Sequence, residues 1–350
     1  MTTSVDIRRS DFDIANQSGF ADILWRDQAG DNVLWLNEPP GTLHVAASLP
    51  FVPPDWHVKA TADFDGVVGG VEADILWENN NGALALWTMS GATVKSILAL
   101  PNPEPTWHLV GDNFFKFDLG GSDQILWQND NGSLAIWTFT SAATPTISGI
   151  FAGTQNPGPT WHVVGTGDTD GDSRAGILWQ NDNGALALWE HGTFVTDSTP
   201  PPPDDGTFTF DTVAALPTVD PSWHVKGMAD VSGDLRADIV FQNDNGSVAV
   251  WEMGDDPFLP PPRHPGGVHI ISASLIDINP GPAWHIVSLR YIGGSGNADN
   301  GGADILFQND NGATAVWEDY INLGGGSATF DTVLPITPNP NPNGHVWDLL

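Results

Sequence analysis

Apolar residues in this chain come in paired short runs separated by a polar knot. From Ile177 to Trp189 the sequence reads ILWQNDNGALALW, and related stretches recur at Ile23–Trp35, Ile75–Trp87, Ile125–Trp137, Ile239–Trp251 and Ile305–Trp317. In five of the six, an Asn/Asp/Gly knot divides the runs. Each stretch predicts a β-hairpin, because Asn and Gly accept the positive φ of a tight turn and Ile, Leu, Val and Trp favour strands. The runs do not alternate apolar with polar. Ile, Leu and Trp stand side by side, so both faces of every hairpin have to be covered. Ribbons of that kind each need a neighbour on either side, and a closed ring supplies one.

The spacing agrees. Trp25, Trp77, Trp127, Trp179, Phe241 and Phe307 follow one another at intervals of 52, 50, 52, 62 and 66 residues. A period of this size suits four strands per repeat, and no helical patterning interrupts it. Each repeat predicts a first strand opening on Trp-His (Trp56-His57, Trp107-His108, Trp161-His162, Trp223-His224, Trp284-His285), an acidic loop, the hairpin and a fourth strand. Pro-rich linkers such as Pro101–Pro105 join the repeats, proline being unable to continue a ladder. The expected fold is all-β: one six-bladed β-propeller of four-stranded antiparallel blades. Its blades fall at approximately 1–50, 51–101, 102–155, 156–217, 218–279 and 280–343. The first repeat lacks Trp-His, with Ser4–Arg8 in that place, and Trp347–Leu350 resembles an extra first strand. The tail 344–350 is therefore expected to close the ring beside the N-terminal segment. Pro200–Pro203 and Pro260–Pro262 lie in the insertions that lengthen the last two intervals.

Composition narrows the functional classes. The chain has 350 residues, 43 acidic against 11 basic, a net charge of −32, 16 Trp and no Cys. Such a charge disfavours nucleic acid and anionic membranes and favours divalent cations or basic partners. The lack of Cys excludes disulfides and thiolate metal sites. No run approaches the length of a membrane helix, and the N-terminus has no apolar signal core. The expectation is a monomer without membrane insertion, placed outside a cell or on its surface by a route without a cleaved signal, or as part of a larger protein; a cytoplasmic place stays open.

Candidate chemistry concentrates in the acidic loops. Asp168-Thr169-Asp170-Gly171-Asp172 sets carboxylates at alternate positions, as oxygen-only Ca²⁺ loops do. Asp230, Asp234 and Asp238 follow in the fifth repeat, and Asp63, Asp65 and Asp74 in the second. These residues resemble the FG-GAP/VCBS-type propeller repeats of integrin-like, bacterial extracellular and lectin-like proteins. The resemblance implies a β-propeller and Ca²⁺ ligation by those nine aspartates. Gly176 replaces the final Asp of the fourth repeat and Gln124 that of the third. On sequence alone the same aspartates also suit Asx-turns that merely shape the loops.

The hairpin knots repeat Gln128, Asn129 and Asp130; Gln180, Asn181 and Asp182; Gln242, Asn243 and Asp244; and Gln308, Asn309 and Asp310. Beside Trp such amides and carboxylates could hold sugars, although the turn alone explains Asn and Gly. The five recurring His are expected to bond backbone carbonyls of the neighbouring linkers. No nucleophile elbow, zinc-protease helix motif or phosphate loop is present. The expected function is a non-enzymatic binding module, calcium-stabilised through the acidic loops, that recognises glycan or protein ligands multivalently. The alternatives are a metal-dependent hydrolase with a central pocket, or a structural spacer.

Overall fold

A computed structural model describes residues 22–37, 43–66, 72–110, 122–196, 205–254, 269–292, 302–335 and 347–349, and every regular element among them is a strand. Ser4–Arg8 and the proline clusters of both insertions lie outside the described residues.

The hairpins form where the knots place them. Strands Gly176–Asn181 and Leu186–Thr196 pair Ile177 with Trp189 and Gln180 with Leu186. Asn181 N donates to Ala185 O and Gly184 N to Asn181 O, both at 2.8 Å. Gly184 has φ +85, and a Cβ there would stand 2.9 Å from Val219 O in the next linker. The glycine thus serves both the left-handed turn and the close approach of the neighbouring repeat.

Each Trp-His segment opens a first strand, as in Trp56–Ala62, Trp161–Gly167, Trp223–Ala229 and Trp284–Arg290. Each then pairs with its own hairpin, and a fourth strand completes a meander. The sheets, however, are not six separate sets of four. They hold four, eight, eight and four strands, each larger one being two consecutive meanders joined through their fourth strands. The cause is the length of two hairpins. Leu186–Thr196 with Gly206–Leu216, and Thr314–Gly324 with Ser327–Pro335, outreach their counterparts. Their far ends meet the preceding meander's edge in parallel, Phe151 opposite Gly206 and Leu275 opposite Ser327. Gly206 is required there, since a Cβ would collide with Val195 O and press on the Phe151 ring. These contacts cover edges that would otherwise offer unpaired backbone groups.

The first meander takes a strand from the far end of the chain. Trp347–Leu349 lies beside Ile23–Asp27, with Leu349 opposite Trp25 and Trp347 opposite Asp27. The order across that sheet continues through Asn32–Asn37 to Leu43–Leu49.

Side chains alternate between two neighbours, which explains the unbroken apolar runs. Leu24 and Leu34 pack with Ile75 and Trp77 of the second repeat. Leu76 and Leu86 pack with Ile125 and Trp127, and Leu126 and Ile136 with Ile177 and Trp179. Leu178 and Leu188 meet Ile239 and Phe241; Val240 and Val250 meet Ile305 and Phe307. A sixth cluster joins Leu306 and Val316 of the last repeat to Ile23 and Trp25 of the first. Buried Arg290 reinforces this last seam by donating from Nη1 to Asp22 O at 2.9 Å.

Each hairpin also carries a tilted aromatic pair, such as Trp179–Trp189 at 5.0 Å and Phe241–Trp251 at 4.7 Å between ring centroids. The Trp179 indole N–H is buried without an acceptor among the described residues. Replacing it loses no hydrogen bond, and phenylalanine holds its place in the fifth and sixth repeats. Trp179→Phe should therefore cost only about 1–2 kcal/mol and Trp179→Ala about 3–5 kcal/mol in urea unfolding. Deleting 344–350 should lower the melting temperature by on the order of 5 °C, measured calorimetrically. An unchanged value would mean that the β pairing of Trp347–Leu349 contributes nothing.

Candidate functional site

The acidic loops spend most of their oxygens on their own backbone. In the fourth repeat, Asp168 Oδ1 accepts from Gly171 N at 2.7 Å and Asp172 N at 3.2 Å, and Oδ2 from Ser173 N at 2.8 Å. Asp230 repeats this with Gly233, Asp234 and Leu235. The final aspartates are buried and reach further. Asp74 accepts from Phe64, Asp65 and Met89 N–H, and Asp238 from Val231, Ser232 and Met253. Asp234 accepts from Arg236 N and faces its guanidinium at 3.4 Å. The loops also lock onto the following repeat, where Asp123 N donates to Asp63 O, Ala237 N to Asp168 O and Ala303 N to Asp230 O.

Two sets of ligand-type groups converge among the described residues. Asp63, Asp65 and Asp74 form one, and Asp170, Asp172 and His191 the other, with donor atoms within 4.8 Å of one another. In the first set Lys95 Nζ stands 3.5 Å from Asp65 and 3.1 Å from Glu72. Burial pushes the Asp74 carboxyl up to about 8 against the pull of the Met89 N–H. The Lys95 ammonium thus supplies a positive charge beside this set. Asp230, Asp234 and Asp238 do not form such a set, and Asp168 stands outside the second one. In all three loops carboxylate oxygens already accept backbone N–H groups, a use that competes with an oxygen-only Ca²⁺ cage.

The fourth repeat has its own solution. Where four of the others place a buried aspartate (Asp22, Asp74, Asp238 and Asp304) it has Gly176, and a Cβ there would lie 3.0 Å from Glu190 Cγ. Glu190, 3% exposed, brings a carboxylate from the neighbouring strand into that space and takes a hydrogen bond from Thr169 Oγ1. Burial pushes Glu190 up to about 7, with the charges of Asp170 and Asp172 adding to the rise. Asp168 rises to about 6, again mainly through burial. Sequence reasoning missed both Glu190 and His191. The available signal was a carboxylate directly after the hairpin Trp in the one repeat with an acidic array that lacks its final Asp.

The hairpin turns divide their residues between structure and surface. Gln128 Nε2 donates to Trp161 O at 2.6 Å while its Oε1 accepts from Val163 N at 3.0 Å. Gln242 does the same with Trp284 O and Ile286 N. Both are buried stitches between repeats. Arg26 serves the first seam, donating to Val52, Pro53 and Trp56 carbonyls. Gln180 and Gln308 hold the same ladder positions, opposite His162 and His285. Asn129, Asn181, Asn243 and Asn309 shape the turns, each accepting from the N–H two residues on.

Asp130, Asp182, Asp244 and Asp310 are exposed. Each takes the Nε2 of its repeat's histidine at 2.7–2.8 Å: His108, His162, His224 and His285. His57 bonds Asn80 in the same way at 2.8 Å. The histidines thus bond turn side chains rather than linker carbonyls, because their strand directs them to the surface. Apart from these, a cavity of about 340 Å³ lies at the fifth repeat, walled by Trp223, Phe241, Trp251, Ser274 and Asp220. Trp251 faces Ala273 across the ladder, where Trp189 faces Val213 and Trp317 faces Val333, so this pocket opens beside the smallest partner.

No protein-family model matches the chain, and no curated protein matches it. Among solved structures it is similar to the β-propeller domain of Vanderwaltozyma polyspora Nup133 (12% identity, TM-score 0.42, 80% of this chain and 76% of that one). It is also similar to the β-propeller domain of Myceliophteria thermophila Cps50 (Swd1), at 10% identity and TM-score 0.45 over 95% and 85% of the chains. AofleA from Arthrobotrys oligospora shows 10% identity and TM-score 0.45 over 99% and 97%. These likenesses concern fold alone. Within this chain the described strands follow one another as antiparallel meanders.

The stitches and loops lead to two expectations. Gln242→Ala strands Trp284 O and Ile286 N in a buried seam and should cost about 2 kcal/mol in urea unfolding. Adding Ca²⁺ to metal-free protein should leave the melting temperature within about 1 °C, because only a ligand selective for the folded state raises it. A clear rise would show that the acidic loops hold calcium.

Proposed function

We propose that the six meanders close into a six-bladed β-propeller of the FG-GAP/VCBS type that acts as a non-enzymatic binding module, engaging glycans or protein surfaces at several equivalent places. One observation carries this reading: the exposed His–Asp pair, repeated with one geometry in four repeats and echoed by His57–Asn80 in a fifth. Such a pair offers a ring nitrogen and a free carboxylate oxygen, the complementary partners that hydroxyls and amides require. The pairs are surplus to the fold, since the turns are already closed by their Asn and Gly. Acidic surface repels nucleic acid, and among the described residues no helix is long and apolar enough to cross a membrane. The reading places the chain in a secreted or cell-surface setting, where multivalent contacts raise avidity.

The cavity walled by Trp223 and Trp251 favours a second reading, a single ligand with an apolar face stacked on indole and a polar edge towards Asp220. Stoichiometry separates the two. A glycan array probed with labelled protein should give hits that weaken by about 100-fold or more when Asp130, Asp182, Asp244 and Asp310 are all replaced by Asn, and by less than about tenfold for any single replacement. Hits that ignore the fourfold variant but vanish in Trp251→Ala would move the site to the cavity. An array without hits would remove the glycan reading.

A further inference from the structure

The fourth repeat differs from its siblings at one point that the rim sites do not use. His191 follows the hairpin Trp by two residues, where the second and fifth repeats carry Met89 and Met253. Its φ is +59, and it stands outside the ladder between the pairs Glu190–Thr212 and Gly192–Phe210. A non-glycine residue in that conformation costs free energy, and here it turns the ring into the acidic loop.

Three donors meet there, each held from behind. His191 Nδ1 bonds Thr212 Oγ1 at 2.9 Å, which leaves Nε2 facing Asp170 Oδ2 at 2.8 Å. The other oxygen of Asp170 accepts from Asp172 N at 3.0 Å. Asp172 Oδ1 accepts from Arg174 N at 2.7 Å, so its Oδ2 is the one left over. This arrangement, one atom of each group anchored and the other turned inward, is how outer bonds orient metal ligands. Asp172 is exposed and His191 only partly covered, so the place opens to solvent.

A second, independent feature points to a cation. Glu190 Oε2 is buried without a hydrogen-bond partner, while its Oε1 is tied to Thr169 within the same loop. Buried carboxylate oxygens are normally satisfied, and Asp170, Asp172 and His191 are the charges that act on this one. The loop's own basic residue, Arg174, is outnumbered by Asp168, Asp170, Asp172 and Glu190. The second repeat meets the same crowding with Lys95. No lysine stands at this place in the fourth.

We infer that Asp170, Asp172 and His191 form a binding site for one borderline divalent ion of the zinc type, with Glu190 behind it as a charge-balancing carboxylate. An imidazole among carboxylates selects Zn²⁺, Co²⁺ or Mn²⁺ over Ca²⁺, which prefers oxygen alone. Three protein ligands leave a position for water, as open zinc sites do. The fifth repeat lacks the site for stated reasons: Ser232 replaces the middle aspartate, Met253 the histidine, and Arg236 neutralises Asp234.

Calorimetric titration of metal-free, full-length protein with Zn²⁺ tests this. One tight equivalent per chain is expected, unaffected by excess Ca²⁺. His191→Ala and Asp172→Asn should each weaken it by at least about tenfold. Asp172 is an exposed loop residue, so its replacement keeps the fold, which circular dichroism verifies. Absence of a tight equivalent, or one that persists unchanged in both variants, overturns the site, the latter result assigning zinc to the surface His–Asp pairs instead.

Discussion

The structure depends on hairpins that are apolar on both faces. A strand such as Ile177–Leu178–Trp179 sends Ile177 and Trp179 to the preceding repeat and Leu178 to the following one. No single repeat can shield both sets from water, and burying a Leu or Ile side chain is worth about 1.5–3 kcal/mol. A linear row would leave one such face bare at each end. Here the two end faces meet instead, Leu306 and Val316 against Ile23 and Trp25. Six packing clusters meet that demand, each between two repeats, and the Trp347–Leu349 strand adds backbone bonds to the first repeat.

Within that frame the polar residues divide by position. Those facing seams are structural: Gln128, Gln242 and Arg26 bond the carbonyls of the following repeat. The acidic loops act as hubs, accepting their own N–H groups and, through main-chain carbonyls, one from the next repeat. Exposed residues of the hairpin turns, and the first-strand histidines beside them, are released from both duties. There the His–Asp pairs stand, and their repetition follows from the repetition of the fold.

The hairpins, their Trp-His openers and the succession of four strands were legible in the sequence because each rests on local chemistry: turn residues, β-formers and the spacing between them. The parallel joints at Phe151–Gly206 and Leu275–Ser327 were not, since hairpin length decides them and no periodic signal marks where a strand stops. The aspartates were legible as loop formers. Which oxygens remain free was hidden, because Lys95, Arg236 and His191 arrive from other strands or fall outside the motif. The exchange of Asp for Gly176 looks like a loss in sequence. In space Glu190 restores the charge from across the ladder.

The most direct test of the account is the free energy of unfolding of Leu306→Ala. Leu306 is as buried as Leu178, an interior counterpart. Its truncation should then cost about 2–5 kcal/mol, matching Leu178→Ala. A cost within about 0.5 kcal/mol of zero would mean that this face looks into solvent and that the ring does not close.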